Sequence, residues 1–116
     1  MKHVNRLPST KGPDEWFSGD VWIDAIATGV IAVHFTPSAR TVWHSHSKGQ
    51  TLYVTDGRGL VQSRGHEIVE IRPGDVVRTP PDEWHWHGAD HDHTMTHISI
   101  TEDGTPTWGA PVTDAE

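Results

Sequence analysis

The sequence predicts an all-β fold, a sandwich or barrel built from short strands. Runs rich in valine, isoleucine, threonine and aromatic residues recur at near-regular spacing, and turn signals containing glycine, proline or aspartate separate them. No long segment of the 116 residues places its apolar side chains at helical period. A chain of this length is expected to form one domain around one core.

Two strands are predicted ahead of the first histidine-rich stretch, over residues 16–28 and 30–36. Successive side chains of a strand point to opposite faces of its sheet. On the second strand Ile31, Val33 and Phe35 therefore share one face, which predicts that they point into the same interior.

Further strands follow the first histidine-rich stretch, with turn residues between them. Asp56 to Gly59 has hairpin chemistry, because glycine and aspartate tolerate positive φ, and Pro73–Gly74 favours a tight turn. The strands predicted in this half of the chain cover residues 60–63, 67–71, 75–79, 84–87 and 94–101.

The two ends of the chain lack the strand pattern. Residues 1–15 are polar and contain Pro8, Gly12 and Pro13, which predicts a loose N-terminal arm. Residues 102–116 contain further glycines and prolines and are predicted to be a C-terminal tail that lies over the surface. The strand-rich domain is therefore assigned to residues 16–101.

The composition excludes several classes of function. The formal charge is −7 and no basic run occurs, so a nucleic-acid partner is not expected. Cysteine is absent, which excludes disulfides and thiolate metal sites. No stretch of 18 or more apolar residues and no apolar leader are present, so we expect a cytoplasmic protein without a membrane partner.

The stretch from Ser38 to Gly57 carries the pattern His-x-His-x-x-x-Gln, formed by His44, His46 and Gln50. Residues two apart on a strand share a face, so both imidazoles can converge on one ion. The residues before Gln50 indicate a bend, which would bring its amide back toward the histidines. Two ordinary inward-facing histidines are the alternative for this stretch taken alone.

A second stretch, residues 74–89, strengthens the metal-site interpretation. His85 and His87 are again two apart and follow the Pro80–Pro81 turn. A histidine from a separate strand completes the set of three or four donors that protein metal sites use.

The first stretch resembles motif one of the cupin family, which reads glycine, five residues, His-x-His, three or four residues, glutamate, six residues, glycine. Here the corresponding residues are Ser38, His44, His46, Gln50 and Gly57. Serine thus replaces the first glycine, and glutamine replaces the glutamate.

The second stretch resembles cupin motif two, which reads glycine, five residues, Pro-x-Gly, two residues, histidine, three residues, asparagine. Gly74, Pro80 and His85 keep their places, whereas Asp82 and Ala89 depart from the pattern. With both motifs in one chain, the resemblance implies an all-β fold of a defined kind, a small cupin β-barrel formed as a jelly roll of short antiparallel strands.

The cupin resemblance implies one divalent metal ion held by His44, His46, Gln50 and His85. Because an amide replaces the usual carboxylate, all four donors are neutral and the ion keeps its full charge. Such an ion is a stronger Lewis acid and favours a trivalent state less, which weighs against oxygen activation. In the alternative, only the three histidines bind and Gln50 makes a hydrogen bond beside them.

Two further histidines, His87 and His97, are predicted to face the interior beside the ion. An unperturbed histidine titrates near pH 6.5, so either can exchange a proton in catalysis. The alternative is that both are packing residues. The predicted lining of a small, mostly apolar substrate pocket consists of Ile31, Val33, Phe35, Thr41, Leu52 and Met95, with ordinary barrel core as the competing interpretation.

A narrower resemblance covers most of residues 16–101. The segments WHSHSKGQTLYVTDGRGLVQ, RPGDVVRTPPDEWHWHGA and TMTHISI are similar to the small manganese-dependent hydroxynitrile lyases of the cupin type. Those enzymes cleave cyanohydrins to a carbonyl compound and cyanide. The resemblance implies manganese as the ion, with iron, nickel or zinc as alternatives, and His97 and His87 as catalytic residues.

Two other functions stay open at this stage, because the cupin fold supports many chemistries. One is an iron-dependent dioxygenase acting on a small organic substrate. The other is a non-catalytic module that binds a metal or a small ligand.

Two surface features complete the sequence-based predictions. His91 and His93 lie in a loop with two aspartates, which is typical of weak adventitious metal binding rather than of a second site. Trp84 and Trp86 alternate with His85 and His87 and should face away from the ion, where they predict the interface of a homodimer.

Overall fold

The computed structural model describes residues 1–102 and 106–113, and this part of the chain folds into thirteen short β-strands. No helix among these residues is long and apolar enough to span a membrane. The strands are β1 (Thr10–Lys11), β2 (Phe17–Ser18), β3 (Val21–Ala27), β4 (Val30–Phe35), β5 (Arg40–Thr41), β6 (His44–His46), β7 (Gln50–Gly57), β8 (Gly59–Ser63), β9 (Val69–Ile71), β10 (Val76–Thr79), β11 (His85–Ala89), β12 (Met95–Ile100) and β13 (Pro106–Trp108).

The strands form two antiparallel sheets. One sheet has the order β1-β3-β4-β12-β7-β10. The other has the order β13-β6-β11-β5-β2, and β8 joins it by pairing with β11 and β9. Buried apolar residues of both sheets, among them Phe35, Val54, Ile71 and Met95, form one core cluster. The predicted all-β fold is confirmed, including its antiparallel pairing.

Backbone conformation explains both places where a cupin glycine is missing. Ser38 and Asp82 have φ values of 68° and 65°, and among the described residues they are the only non-glycine residues with positive φ. Glycine adopts this conformation without steric cost, and short polar side chains tolerate it better than most. The chain therefore keeps the turn geometry at both motif positions despite the changed residues.

The chain ends are more ordered than the sequence predicts. Within the predicted N-terminal arm, β1 pairs with β3. Within the predicted C-terminal tail, β13 pairs with β6, the strand that carries His44 and His46. The parts of the tail at residues 103–105 and 114–116 lie outside the described residues. A prediction from local pattern missed both pairings, because two- and three-residue strands carry no readable alternation.

The predicted role of Trp86 as an exposed interface residue is wrong. Trp86 does face away from His85 and His87, but it is fully buried within the chain. Its Nε1 donates to Gln62 Oε1 at 2.8 Å, and the Arg40 guanidinium lies 4.5 Å from its ring centroid. Trp84 is half-buried under Arg64. The homodimer stays a prediction, and Trp86 no longer supports it.

Candidate metal centre and pocket

Three histidines of the predicted metal site come together through the pairing of β6 with β11. His44 lies directly opposite His85 in the register, and their ring centroids are 4.3 Å apart. His46, two residues from His44 on β6, has its ring centroid 5.0 Å from that of His44 and 5.6 Å from that of His85. The expectation that two separate stretches supply converging imidazoles therefore agrees with the geometry.

Backbone carbonyl groups fix the protonation of two of these rings. His44 Nδ1 donates to the Val42 carbonyl at 2.9 Å, and His85 Nδ1 donates to the Glu83 carbonyl at 3.0 Å. With the proton held on Nδ1, each neutral ring presents a bare Nε2. Such a partner on the far nitrogen is the usual way in which proteins orient metal-binding histidines.

The Gln50 amide lies against the same cluster. Its Nε2 donates to Ser99 Oγ at 2.9 Å, and its Oε1 lies 3.0 Å from His85 Nε2. Since His85 carries its proton on Nδ1, both atoms of this close pair are lone-pair acceptors. Two buried acceptors that face each other repel unless a cation lies near them. The donor set present thus fits a divalent ion.

Beside His44 and His85, either His46 or His87 could be the third imidazole ligand. Ring nitrogens of His44, His85 and His87 lie within 4.8 Å of one another. His46 also offers a buried Nε2, to which no residue in the described part of the chain makes a hydrogen bond. The sequence predicts His46 as the ligand and His87 as a pocket residue. Measuring the metal content of His46→Ala and of His87→Ala separates the two assignments.

His87 and His97 form a buried pair beside these donors. His97 Nε2 lies 2.9 Å from His87 Nδ1, and the outer nitrogens, His97 Nδ1 and His87 Nε2, have no hydrogen-bond partner among the described residues. One proton occupies the shared hydrogen bond, and each neutral ring carries one proton in all. If His97 donates, its Nδ1 is bare; if His87 donates, its own Nε2 is bare. Exactly one outer nitrogen is therefore free to accept a proton or bind an ion.

Burial keeps the five histidines of the site neutral. Burial lowers the pKa of His44 to about 3, of His46 to about 4 and of His97 to about 3. It also lowers the pKa of His85 and His87, and the neighbouring His97 adds to the effect on His87. Near pH 7 the site thus consists of neutral imidazoles, which can bind a metal ion without first losing a proton.

These depressed pKa values predict an acid-labile fold for the metal-free protein. Below pH 6.5 the unfolded chain binds protons that the folded chain excludes, so stability is complete above pH 6.5 and falls toward the folded pKa values of about 3 to 4. The slope is up to about 1.4 kcal/mol per pH unit for each such histidine. Denaturant unfolding of metal-free protein between pH 7.5 and 5 should show this loss, and His97→Leu should lessen the slope. A free energy of unfolding independent of pH would contradict the assignment of buried neutral rings.

Four of these histidines, all except His85, line a cavity of about 220 Å³. Its polar end is formed by His44, His46, Gln50, His87 and His97. The remaining lining is mainly apolar and aromatic: Trp16, Phe17, Ile23, Ile31, Val33, Pro106 and Trp108, with Gly29, Thr41, Ser99 and Thr101. The cavity therefore combines a neutral donor cluster with an apolar compartment.

Three of the six predicted pocket residues line this cavity, namely Ile31, Val33 and Thr41. Phe35 shares their face, as predicted, but lies one step further along β4 and packs against the His97 ring at 5.3 Å. Met95 pairs with Phe35 and is fully buried in the core. Leu52 lines a second cavity of about 210 Å³ that reaches His85 from another side. These three residues thus lie outside the lining of the first cavity, because shared orientation does not fix depth along a strand.

Residues 32–101 match the model of the cupin domain family, which is more than half of the chain. The chain belongs to the cupin family. The resemblance of the two histidine stretches to cupin motifs is thereby confirmed.

Two relatives are similar to this cupin over its whole length. It is 46% identical to the (R)-mandelonitrile lyase of Granulicella tundricola, over 100% of this chain and 96% of the relative. The crystal structure of a cupin-like protein from Thermotoga maritima superposes with a TM-score of 0.89 at 38% identity, covering 99% of this chain and 93% of the other. The polyketide cyclase RemF of Streptomyces resistomycificus has a TM-score of 0.78 at 17% identity, over 98% and 88% of the two chains, and shows the shared fold alone.

Sequence reasoning missed the two tryptophans that line the cupin's cavity, Trp16 and Trp108. Trp108 lies in the C-terminal tail, which carries no strand signal, and Trp16 is the first residue of the strand predicted over 16–28, where nothing in the sequence marks it as a cavity residue. Ser99, which neither cupin motif marks, is the hydrogen-bond partner of Gln50. The sequence holds six tryptophans, a large number for 116 residues, and this count is the available signal for an aromatic site.

Three of the other histidines, His34, His91 and His93, have partners away from the cavity. His91 Nδ1 lies 2.9 Å from Ser38 Oγ, and His93 Nδ1 lies 2.9 Å from Asp90 Oδ1. His34 lies on the outer side of its sheet between Asp24 and Thr96, at 2.8 and 2.9 Å. A second designed metal site in the 90–93 loop thus gains no support from the described residues.

Proposed function

We propose that this cupin is a metal-dependent lyase that cleaves a small carbonyl adduct, a cyanohydrin, to a carbonyl compound and cyanide, and also catalyses the reverse addition. The observation that carries the proposal is the cavity itself, in which neutral metal donors and a histidine pair with one bare outer nitrogen face an apolar compartment. The relative named (R)-mandelonitrile lyase, identical at 46% of positions, supports cyanohydrins as the substrate class.

The proposed ion is manganese, held by His44, His46, Gln50 and His85. Affinity order alone does not select it over iron, nickel or zinc, so the choice follows the resemblance to manganese-dependent lyases. When bound, a divalent ion with only neutral ligands supplies Lewis acidity that lowers the pKa of a substrate hydroxyl.

The histidine pair moves the proton in this proposal. The bare outer nitrogen, on His97 or else on His87, accepts the proton of the substrate hydroxyl. The bond between the carbinol carbon and the nitrile carbon then breaks, its electron pair leaves with cyanide, and the oxygen becomes the carbonyl. The imidazolium returns its proton to cyanide, so hydrogen cyanide leaves and the histidine is neutral again. A positioned base of this kind contributes about 10²–10⁴-fold to rate.

Buried surroundings favour the uncharged state of this base before reaction. The apolar compartment beside it limits the access of water that would compete for the proton. Val33 lies directly opposite His97 in the sheet, and Ile31 lies opposite Ser99, the residue that holds the Gln50 amide. Apolar side chains thus lie opposite both His97 and Ser99, the partner of the Gln50 amide.

The proposed reaction transfers no electrons, so it needs no oxygen. Cleavage of mandelonitrile by manganese-loaded protein is expected to proceed at the same rate in anaerobic and in aerated buffer. An oxygen electrode run in parallel should record no uptake. Cleavage that requires oxygen, or oxygen uptake without cyanide release, would favour the iron-dependent dioxygenase. If fully metal-loaded protein neither cleaves mandelonitrile nor consumes oxygen, a non-catalytic binding module would be favoured.

A further inference from the structure

The C-terminal strand β13 is built into the wall of the candidate site. Its residues pair with β6 in the order Pro106 to His46, Thr107 to Ser45 and Trp108 to His44. Backbone bonds continue beyond the strand, since the Gly109 N–H donates to the Trp43 carbonyl at 2.7 Å and the Trp43 N–H to the Ala110 carbonyl at 2.9 Å. The segment is therefore anchored by its backbone along the strand that carries two metal donors.

Trp108 connects the metal donors to the N-terminal part of the chain. Its ring lies 5.0 Å from the His44 ring at an interplanar angle of 32°. The Trp108 ring also stacks on the Trp16 ring, with centroids 4.8 Å apart and an interplanar angle of 9°. Both indoles line the cavity, together with Ile23, Ile31 and Val33 of the opposite sheet.

The size and lining of the cavity define the ligand that fits. A cavity of about 150 Å³ with an apolar lining binds benzene. At about 220 Å³, the compartment has room for one such ring and a substituent of a few atoms. The histidines and Gln50 are the groups of the lining that can bind an ion or exchange a proton, so the reacting substituent belongs beside them and the ring belongs against the apolar and aromatic residues.

We propose that Trp108 and Trp16 form an aromatic wall that makes this site selective for substrates with one aryl ring next to the reacting carbon. The inference rests on the proposed function and deepens it by naming the substrate class. Aromatic rings in contact gain energy beyond the area they bury, through offset or edge contacts that a saturated ring lacks. Trp108 is thus a specificity-determining residue and takes no part in proton transfer.

Binding of unreactive alcohols tests the wall without catalysis. Manganese-loaded protein is titrated calorimetrically with benzyl alcohol and with cyclohexylmethanol, which have rings of similar size. The aryl alcohol should bind about three- to tenfold more tightly. This preference should disappear in Trp108→Ala and Trp16→Ala and persist in Trp108→Phe. Trp22→Ala is the matched control, because Trp22 is exposed and does not line the cavity.

Kinetics give the second measurement. The ratio of kcat/KM for mandelonitrile to that for acetone cyanohydrin should fall about three- to tenfold in Trp108→Ala, through KM rather than kcat. The backbone bonds that anchor β13 do not involve the indole, and circular dichroism checks that the variant is folded. Trp16→Ala gives the same test at a partly exposed position should Trp108→Ala fail to fold.

The outcomes separate the wall from the reaction. Loss of the aryl preference in both binding and kinetics supports the proposal. An unchanged binding preference in folded Trp108→Ala and Trp16→Ala overturns it, even if cyanohydrins are cleaved. If no cyanohydrin is cleaved by any variant but benzyl alcohol binding still depends on Trp108, the wall is supported and the proposed lyase function fails.

Discussion

Replacing both His44 and His46 by alanine is expected to reduce the metal content from one ion per chain to trace levels and to abolish cyanohydrin cleavage. Both rings are buried or half-buried, neutral at pH 7 and directed at the same cluster, and His44 is held in the metal-binding tautomer by the Val42 carbonyl. Elemental analysis of protein purified with excess manganese and then desalted measures the loss.

Two controls accompany this pair of substitutions. His91→Ala and His93→Ala should keep the full metal content, because these rings have partners on the surface away from the cluster. His87→Ala should also keep the ion if His46 is the third imidazole ligand. A full metal complement in the double variant would rule out the proposed site, whereas loss in His87→Ala would assign the third position to His87.

Replacing His97 is expected to lower the rate of mandelonitrile cleavage at least tenfold while the metal content stays at one ion per chain. The expectation follows from the value of a positioned base, about 10²–10⁴-fold. His97 contributes one of the two outer nitrogens of the histidine pair. Its ring is fully buried, so His97→Asn is preferable to alanine because it keeps a polar side chain but cannot act as the base.

The matched control for this substitution is His34→Asn. His34 lies on the neighbouring strand opposite Thr96 and outside the cavity. The His34→Asn substitution should leave kcat/KM within about twofold of the value for the unsubstituted protein, as is usual for positions without a functional role. A rate for His97→Asn equal to that of the control would exclude His97 as the base. A loss seen only in His87→Asn would assign the role to His87.

The donor cluster was predictable because its geometry is local to two strands. The alternation of His44 with His46 and of His85 with His87 fixes which face each ring occupies. The spacing between the motifs then agrees with a fold in which β6 and β11 pair. The changed residues Ser38 and Asp82 could also be interpreted correctly, since their positive φ is the property that the missing glycines would have supplied.

The aromatic wall was not predictable in the same way. Trp108 reaches the site through a three-residue strand whose pairing with β6 depends on the complete sandwich, and no periodicity marks such a strand. The burial of Trp86 depends on Gln62 and Arg40, which lie far from it in sequence. Likewise, Leu52 has the expected orientation but faces a different cavity. Long-range packing decided each of these outcomes.

The most direct measurement of the central claim is a titration of metal-free protein with manganese, in which cyanide released anaerobically from mandelonitrile is recorded at each step. The proposed lyase predicts no release without metal, a linear rise in rate and a break at one equivalent per chain. Release by metal-free protein, or no release at one equivalent and beyond, would contradict it.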